Sequence, residues 1–261
     1  MLKQRIITAL ILAPLAIAAI FLLPPMGFGL LLAVVMGLAA WEWAGLSGFQ
    51  GSADRTAYSL LVAAACLPVA LLEPAWFWML PAIPFWLLAF AWLTHSGFRP
   101  HSLLRLLFGC AFLVATCLGI TLLHQAGPWF VILVLALVAA ADVGAYFAGK
   151  RFGRHRLAPT ISPGKTWEGV LGGALLAATV ALGAAVFMDA RQLLVFTAVC
   201  TLAAVLSVGG DLVESILKRH AGVKDSGRLL PGHGGLLDRM DSLLVATPVL
   251  VLGLGLIGEL S

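Results

Sequence analysis

Acidic and hydroxyl side chains are concentrated in the C-terminal part of the chain, between Gly209 and Ser242. Four polar residues there have the spacing i, i+3, i+4 and i+7: Asp211, Glu214, Ser215 and Lys218. If the helix predicted before them continues past its apolar run, they share one face. Where the next helix begins, three more repeat the i, i+3, i+4 pattern: Asp238, Asp241 and Ser242. Such oxygen ligands suit a hard divalent ion, above all Mg²⁺, which completes its shell with substrate phosphates.

Basic residues and glycines are mixed with these acids. The cations are Lys218, Arg219, Lys224, Arg228 and Arg239. The turn Gly232-His-Gly-Gly235 lets backbone N–H groups approach phosphate oxygens, so the whole stretch indicates a metal–phosphate site. The alternative is a solvated loop laced with ion pairs. Asp211 argues against that alternative, because it lies just inside an apolar run, where a carboxylate is costly without a partner or a task.

His233 and Glu42 each have a functional and a structural interpretation. His233, between glycines, is a candidate general acid or phosphate donor, and the alternative is a simple turn residue. Glu42 lies between Trp41 and Trp43, and this pattern favours anchoring at a membrane interface over catalysis.

A second polar group belongs to the sixth apolar run and the connection after it. Asp142 lies inside that run, roughly two helical turns before Lys150, and an acid at such a position is a functional candidate. The alternative is an ion pair that only fixes helix packing. The basic run 150–156 has three open interpretations: it orients the helix, contacts anionic lipid head groups or contacts substrate.

The sequence Pro163-Gly-Lys-Thr166 superficially resembles a phosphate-binding P-loop. That interpretation is excluded because Pro159 stands where the pattern requires its first glycine. Lys165 remains a candidate phosphate contact. Ser162 and Thr166 have the alternative interpretation of capping the next helix.

The composition places these residues in a membrane protein. Of the 261 residues 61% are apolar and only 11% are charged, against about 25% charged residues in an average soluble domain. This excludes a soluble enzyme, a disordered chain and a nucleic-acid-binding module. About nine apolar runs are long enough to span a bilayer as helices, which predicts an all-α, polytopic transmembrane bundle. The runs are 6–23, 26–46, 57–73, 75–93, 103–123, 128–149, 167–188, 192–213 and 243–260.

The distribution of basic residues predicts the orientation. With the N-terminus in the cytoplasm, every Lys and Arg except Arg191 falls on the cytoplasmic side, where basic loops are retained. The two long polar connections, about 150–166 and 214–242, also lie on that side. We therefore expect one membrane domain, 1–261, in which 1–141 supplies membrane helices and 142–261 carries a site that faces the cytoplasm.

The C-terminal motifs resemble a known enzyme family. The stretch Ser215-Ile-Leu-Lys-Arg219, Lys224-Asp225, Pro231-Gly-His-Gly-Gly235 and Asp238-Arg-Met-Asp241 is similar to the C-terminal motif of phosphatidate cytidylyltransferases, also called CDP-diacylglycerol synthases. Asp142-Val-Gly-Ala-Tyr-Phe147, Ser162-Pro-Gly-Lys-Thr-Trp-Glu-Gly169 and Gly210-Asp-Leu-Val-Glu-Ser215 look like bacterial members as well.

The resemblance implies a dimeric, multi-pass enzyme of the bacterial inner membrane that joins CTP and phosphatidic acid into CDP-diacylglycerol and pyrophosphate. It implies Mg²⁺, and it allows a monovalent cation such as K⁺ to share the site. The expected metal ligands are Asp211, Asp238, Asp241, Glu214, Ser215 and Asp142. The expected catalytic residues are Lys218, Arg219, Lys224, Asp225, His233 and Arg239, and the expected phosphate contacts are Lys165, Ser162, Gly234 and Gly235. The alternatives are a CTP-dependent lipid kinase and a membrane transporter.

Overall fold

The computed structural model describes residues 2–72, 75–94, 100–227, 229–230, 232 and 234–260. Nine α-helices account for most of this described part. They are α1 (Leu2–Leu22), α2 (Pro25–Leu46), α3 (Ser52–Leu71), α4 (Ile83–Thr94), α5 (Ser102–Ala126), α6 (Pro128–Phe152), α7 (Trp167–Phe187), α8 (Leu193–His220) and α9 (Leu243–Leu256).

Six helical segments of the described chain are long and apolar enough to cross a membrane. They are Pro25–Leu46, Trp76–Thr94, Ser102–Ala126, Pro128–Phe152, Trp167–Phe187 and Leu193–His220. Shorter apolar helices cover Leu10–Leu22 and Leu243–Leu256. The predicted helical membrane architecture is thus confirmed, and the full number of nine crossings stays a prediction.

The predicted fourth apolar run, 75–93, does not begin as an α-helix. A 3-10 helix, Trp76–Ala82, precedes α4. Pro81 lies inside this 3-10 helix and Pro84 in the first turn of α4. Because proline lacks a backbone N–H, this segment does not form a regular α-helix from its first residue.

Small residues let α6 and α7 pack closely. A Cβ on Gly144 of α6 would lie 2.5 Å from the carbonyl oxygen of Gly172, and one on Gly173 of α7 would lie 2.6 Å from that of Ala141. Such close backbone approach through small residues is typical of helix pairs in membranes. Because Asp142 follows Ala141 directly, this packing brings its part of α6 against α7.

The connection between α6 and α7 contains a small antiparallel ribbon, which departs from the predicted all-α fold. Strand β1 (Arg156–Ala158) pairs with β2 (Ser162–Thr166), and Ala158 lies opposite Ser162. Ser162 is therefore a strand residue, and its interpretation as a helix cap is wrong. Thr166 does cap α7, since its hydroxyl oxygen accepts a hydrogen bond from the Gly169 N–H at 3.1 Å.

The predicted second helix face does not form as expected. Asp238 lies in a 3-10 turn (Leu237–Arg239), while Asp241 and Ser242 precede the start of α9 at Leu243. These three side chains therefore do not line a regular helix. The carboxylate of Asp238 instead accepts hydrogen bonds from Ser226 and Gly235 on the preceding loop.

Candidate active site

The C-terminal part of α8 carries the first group of polar side chains. The helix continues to His220, so the predicted alignment of Asp211, Glu214, Ser215 and Lys218 on one face is confirmed. The hydroxyl of Ser215 donates to Oδ1 of Asp211 at 3.2 Å, and Nζ of Lys218 lies 3.3 Å from Oε1 of Glu214. On this face each of the two acids therefore lies beside a hydrogen-bond donor four residues further along the helix.

Asp238 connects α8 to the loop that precedes α9. Its Oδ1 lies 2.7 Å from Nζ of Lys218. Its Oδ2 accepts hydrogen bonds from the backbone N–H groups of Ser226 (2.9 Å) and Gly235 (2.8 Å) and from the Ser226 hydroxyl (3.0 Å). Although burial would raise the pKa of Asp238, the bonds from Lys218, Gly235 and Ser226 lower it below its ordinary value. Asp238 is thus held as a carboxylate beside Lys218.

A second lysine–carboxylate pair lies beside the first. Nζ of Lys165, on β2, is 2.6 Å from Oδ2 of Asp211, and both side chains are about one quarter exposed, at 25% and 28%. Asp142 of α6 is close enough to Asp211 and Lys165 to interact with the charges of both. A polar cavity of about 200 Å³ opens here, lined in part by Asp142, Tyr146, Lys165 and Thr166. The site is therefore formed by side chains of α8, of α6 and of the ribbon.

Two more carboxyl groups, those of Glu214 and Asp241, belong to this neighbourhood. Glu214 is fully buried; its Oε1 lies 3.3 Å from Nζ of Lys218, and its Oε2 accepts no hydrogen bond from the described residues. Burial, together with the negative charge of Asp211, raises the pKa of the partly buried Asp241 to about 6. The backbones of Gly210 and Asp241 approach each other closely, because a Cβ on Gly210 would lie 2.4 Å from the Asp241 carbonyl oxygen.

These acids do not form a closed ligand shell. Within the described ranges, no three or more Asp, Glu, His or Cys side chains form a group that could hold a metal ion. Lysine ammonium groups lie against Asp211 and Asp238 instead. The expected metal ligands are thus brought into one neighbourhood, and their binding of an ion stays a prediction.

Comparison with known proteins identifies the family. The cytidylyltransferase family profile matches residues 3–257. This chain belongs to the cytidylyltransferase family. It is 43% identical over 260 aligned residues to the phosphatidate cytidylyltransferase of Pseudomonas aeruginosa, with 95% of each chain covered. It is 35% identical over 278 aligned residues to the protein of that name from Haemophilus influenzae, with 95% of this chain and 96% of the relative covered.

The family assignment confirms the resemblance drawn from the C-terminal motifs. A phosphatidate cytidylyltransferase of Staphylococcus aureus (strain COL) is 44% identical over 125 residues, or 48% of each chain. Together with the apolar helices, these matches make this cytidylyltransferase a nucleotidyltransferase with several membrane-spanning helices.

The remaining predicted residues of this cytidylyltransferase lie at the rim of the site. Arg219, Lys224, Asp225 and Arg239 are exposed, and a guanidinium N–H of Arg219 donates to the carbonyl of Val223 at 3.4 Å. Exposed cations next to the two lysine–carboxylate pairs are placed to meet an anionic ligand first. His233 lies outside the described residues.

The glycine turn has a structural role that its sequence does not reveal. The sequence predicts that Gly235 offers its N–H to a phosphate, and in the structure this N–H donates to Asp238. A Cβ on Gly235 would lie 1.9 Å from Oγ of Ser226 and 2.5 Å from Oε2 of Glu42. Gly234 has φ +84, a backbone conformation that favours glycine. The turn therefore needs glycine to pack against two carboxylates.

Glu42 is a site residue whose interpretation as an interfacial anchor is wrong. It is fully buried at the end of α2. Its Oε2 accepts from the Ser226 hydroxyl at 3.0 Å and from the Leu237 N–H at 2.9 Å. Ser226 thus lies between the carboxylates of Glu42 and Asp238. The sequence signal was an acid inside an apolar run, the same signal that singled out Asp142 and Asp211.

Proposed function

We propose that this enzyme transfers the cytidylyl group of CTP to phosphatidic acid and produces CDP-diacylglycerol and pyrophosphate. The names of the Pseudomonas and Haemophilus relatives support this reaction. The observation that carries the proposal is the placement of two lysine–carboxylate pairs, Lys165–Asp211 and Lys218–Asp238, on one end of a membrane helix. Such a site can accept a highly charged nucleotide while the lipid remains in the membrane.

The reaction needs positioning and charge neutralisation more than a strong base. The phosphate of a phosphomonoester loses its second proton with a pKa of about 6, so the lipid phosphate is already a nucleophile near neutral pH. One of its oxygens forms a bond to the α-phosphorus of CTP. The bond from that phosphorus to the oxygen bridging it to the β-phosphorus breaks, and pyrophosphate leaves with the electron pair. Phosphoryl-type transfers depend mainly on such positioning and on stabilisation of the spread negative charge.

Lysines and arginines at the site supply this stabilisation. Lys165 lines the polar cavity and contacts Asp211, and Lys218 contacts Glu214 and Asp238. We assign to these two lysines the phosphates nearest the reacting bond. The exposed Arg219, Lys224 and Arg239 then hold the outer phosphates of the nucleotide or the lipid phosphate. Ser162 and Gly234 remain proposed contacts of the phosphates, whereas the N–H of Gly235 already donates to Asp238.

The acids have the chemistry to hold Mg²⁺. The carboxylates of Asp142, Asp211, Glu214 and Asp241 offer oxygen ligands from three segments of the chain, and Asp238 and Ser215 lie beside them. Glu214 fits this role because its buried Oε2 accepts no hydrogen bond from the described residues, an arrangement that a cation would satisfy. When bound, Mg²⁺ would neutralise charge on the triphosphate; a monovalent cation such as K⁺ is proposed to share the site.

We further propose that the site faces the cytoplasm from the bacterial inner membrane. CTP is a cytoplasmic metabolite, and the basic residues around the site favour retention of these loops in the cytoplasm. The basic residues at the end of α6, Lys150 and Arg151, are on the same side as those at the end of α8 in this orientation.

The test uses the purified full-length protein in lipid nanodiscs with CTP and phosphatidic acid. With label on the α-phosphate, we expect radioactive CDP-diacylglycerol and equimolar pyrophosphate, loss of both on chelation by EDTA, and recovery with added Mg²⁺. Label transferred to lipid from the γ-phosphate, with CDP as co-product, would instead indicate a lipid kinase. Solute flux without nucleotide turnover would indicate a transporter.

A further inference from the structure

An apolar cavity of about 390 Å³ lies beside the polar site. It is an open cavity bordered by α4, the ribbon, α7 and α8, through residues that include Phe90, Leu93, Ile161, Trp167, Leu206 and Leu212. Among the described lining residues, only the hydroxyl of Thr94 and the indole N–H of Trp167 are polar side-chain groups. The volume of the cavity falls within the range of about 300–1,000 Å³ that is typical of ligand pockets.

The apolar cavity adjoins the polar cavity. Val170 of α7 and Val208 of α8 line both of them. On α8, Leu212 faces the apolar cavity and its neighbour Asp211 pairs with Lys165. The wall of α8 from Val205 to Leu212 extends about 10 Å along the helix, at a rise of about 1.5 Å per residue. A lysine–carboxylate pair and an apolar chamber therefore meet at one point, which matches a molecule with an anionic head and an apolar tail.

We propose that this cavity binds one acyl chain of the lipid substrate and thereby selects for chain length. The inference rests on the proposed function, because it takes the lipid phosphate to lie in the polar cavity beside Lys165. From that position the tail enters between Val170 and Val208 and lies against Leu206 and Leu212. The chain contacts these side chains, so its length affects binding at this enzyme and not only partition into the membrane.

Leu206→Trp fills the cavity from α8, and Leu93→Trp fills it from α4. The matched control is Leu202→Trp, one turn away on α8, which is 54% exposed and does not line the cavity. Turnover of CTP is measured in mixed micelles with dioleoyl and with dihexanoyl phosphatidic acid. We expect both cavity variants to raise KM for the dioleoyl lipid about tenfold or more, because the indole takes the space of the acyl chain. We expect KM for the dihexanoyl lipid and all constants of the control to stay within about twofold.

A labelling experiment tests the same site without turnover. Phosphatidic acid with a diazirine at the end of one acyl chain is photolysed with the full-length protein, and labelled peptides are identified by mass spectrometry. We expect labels within 90–94 or 205–212, and loss of these labels in Leu206→Trp. Labelling at these segments with no cytidylyl transfer would remove the proposed reaction and leave the lipid site standing.

Three results would overturn the inference. The first is an unchanged KM for the dioleoyl lipid in both cavity variants. The second is an equal loss of activity with the long and the short lipid, which would mean that the cavity supports the active site and does not select the chain. The third is labelling confined to other segments. If Leu206→Trp then changes only the oligomeric state, a second copy of the chain covers the cavity.

Discussion

Replacing Glu42 with alanine is expected to release the loop that holds Asp238 from α2. The substitution removes the acceptor of two hydrogen bonds, from the Ser226 hydroxyl and from the Leu237 N–H. Ser226 keeps a second acceptor in Asp238, but the fully buried Leu237 amide is left without a partner. An unsatisfied buried amide costs about 1–3 kcal/mol. Because the Ser226 hydroxyl can still donate to Asp238, the ordered position of the loop loses about 1–3 kcal/mol.

This cost predicts both a kinetic and a structural result. At about 1.4 kcal/mol for each factor of ten, 1–3 kcal/mol corresponds to a decrease of up to about 5- to 150-fold in the population with Asp238 in place. We expect kcat/KM for cytidylyl transfer to fall within this range. Hydrogen exchange should show a matching loss of protection at the amides of Ser226, Gly235 and Leu237, while α8 and the remainder of α2 keep theirs.

Two further variants separate positioning from simple loss of fold. Glu42→Gln retains an oxygen that can accept from Leu237, so its kcat/KM should lie between those of Glu42→Ala and the unsubstituted enzyme. Ser47→Ala is the matched control, because Ser47 is also fully buried near the end of α2, and its hydroxyl has no hydrogen-bond partner among the described residues. Wild-type kcat/KM and wild-type exchange in Glu42→Ala would refute the reasoning.

Three other substitutions test the remaining contacts of the site. Lys218→Met removes the cation that lies against two carboxylates. Turnover should therefore fall by at least about 100-fold in the pyrophosphate-release assay. Recovery of activity in Lys218→Arg would contradict a need for the compact ammonium group. Asp238→Asn should abolish turnover while the protein remains extractable and folded in detergent, because an amide retains one acceptor but loses the charge beside Lys218; near-normal activity would remove Asp238 from the metal assignment. Gly235→Ala should lower activity by about tenfold or more, since its Cβ would lie 1.9 Å from Oγ of Ser226, whereas Gly183→Ala, with nothing within 4 Å, should behave as the unsubstituted enzyme.

Local spacing was sufficient to predict the α8 face of the site. The positions of Asp211, Glu214, Ser215 and Lys218 relative to one another follow from helix geometry alone, and the structure has them as expected. The apolar runs predicted the helical membrane bundle for the same reason. Both predictions depend only on residues that are close along the chain.

Contacts between distant segments could not be predicted in this way. Glu42 and Ser226 are 184 residues apart, and hydropathy or spacing along one helix cannot show that they meet. Likewise, the i, i+3, i+4 pattern of Asp238, Asp241 and Ser242 predicted a helix face, but hydrogen bonds from Ser226 and Gly235 hold Asp238 in a 3-10 turn. A local pattern could not predict this turn, because the partners that decide it lie elsewhere on the loop.

The charge balance of α8 explains why the site depends on these distant segments. Asp211 and Lys218 lie two turns apart on one helix, and each has its nearest charged partner on another element: Lys165 on the ribbon and Asp238 on the loop before α9. Breaking a buried ion pair by removing one partner is far more costly than the pair is stabilising, because it leaves an uncompensated charge. Assembly of the ribbon and of the loop against α8 is therefore coupled to the neutralisation of its charges. A phosphate ligand enters the same balance, since it competes with Asp211 and Asp238 for the two lysines and leaves these carboxylates available to a cation.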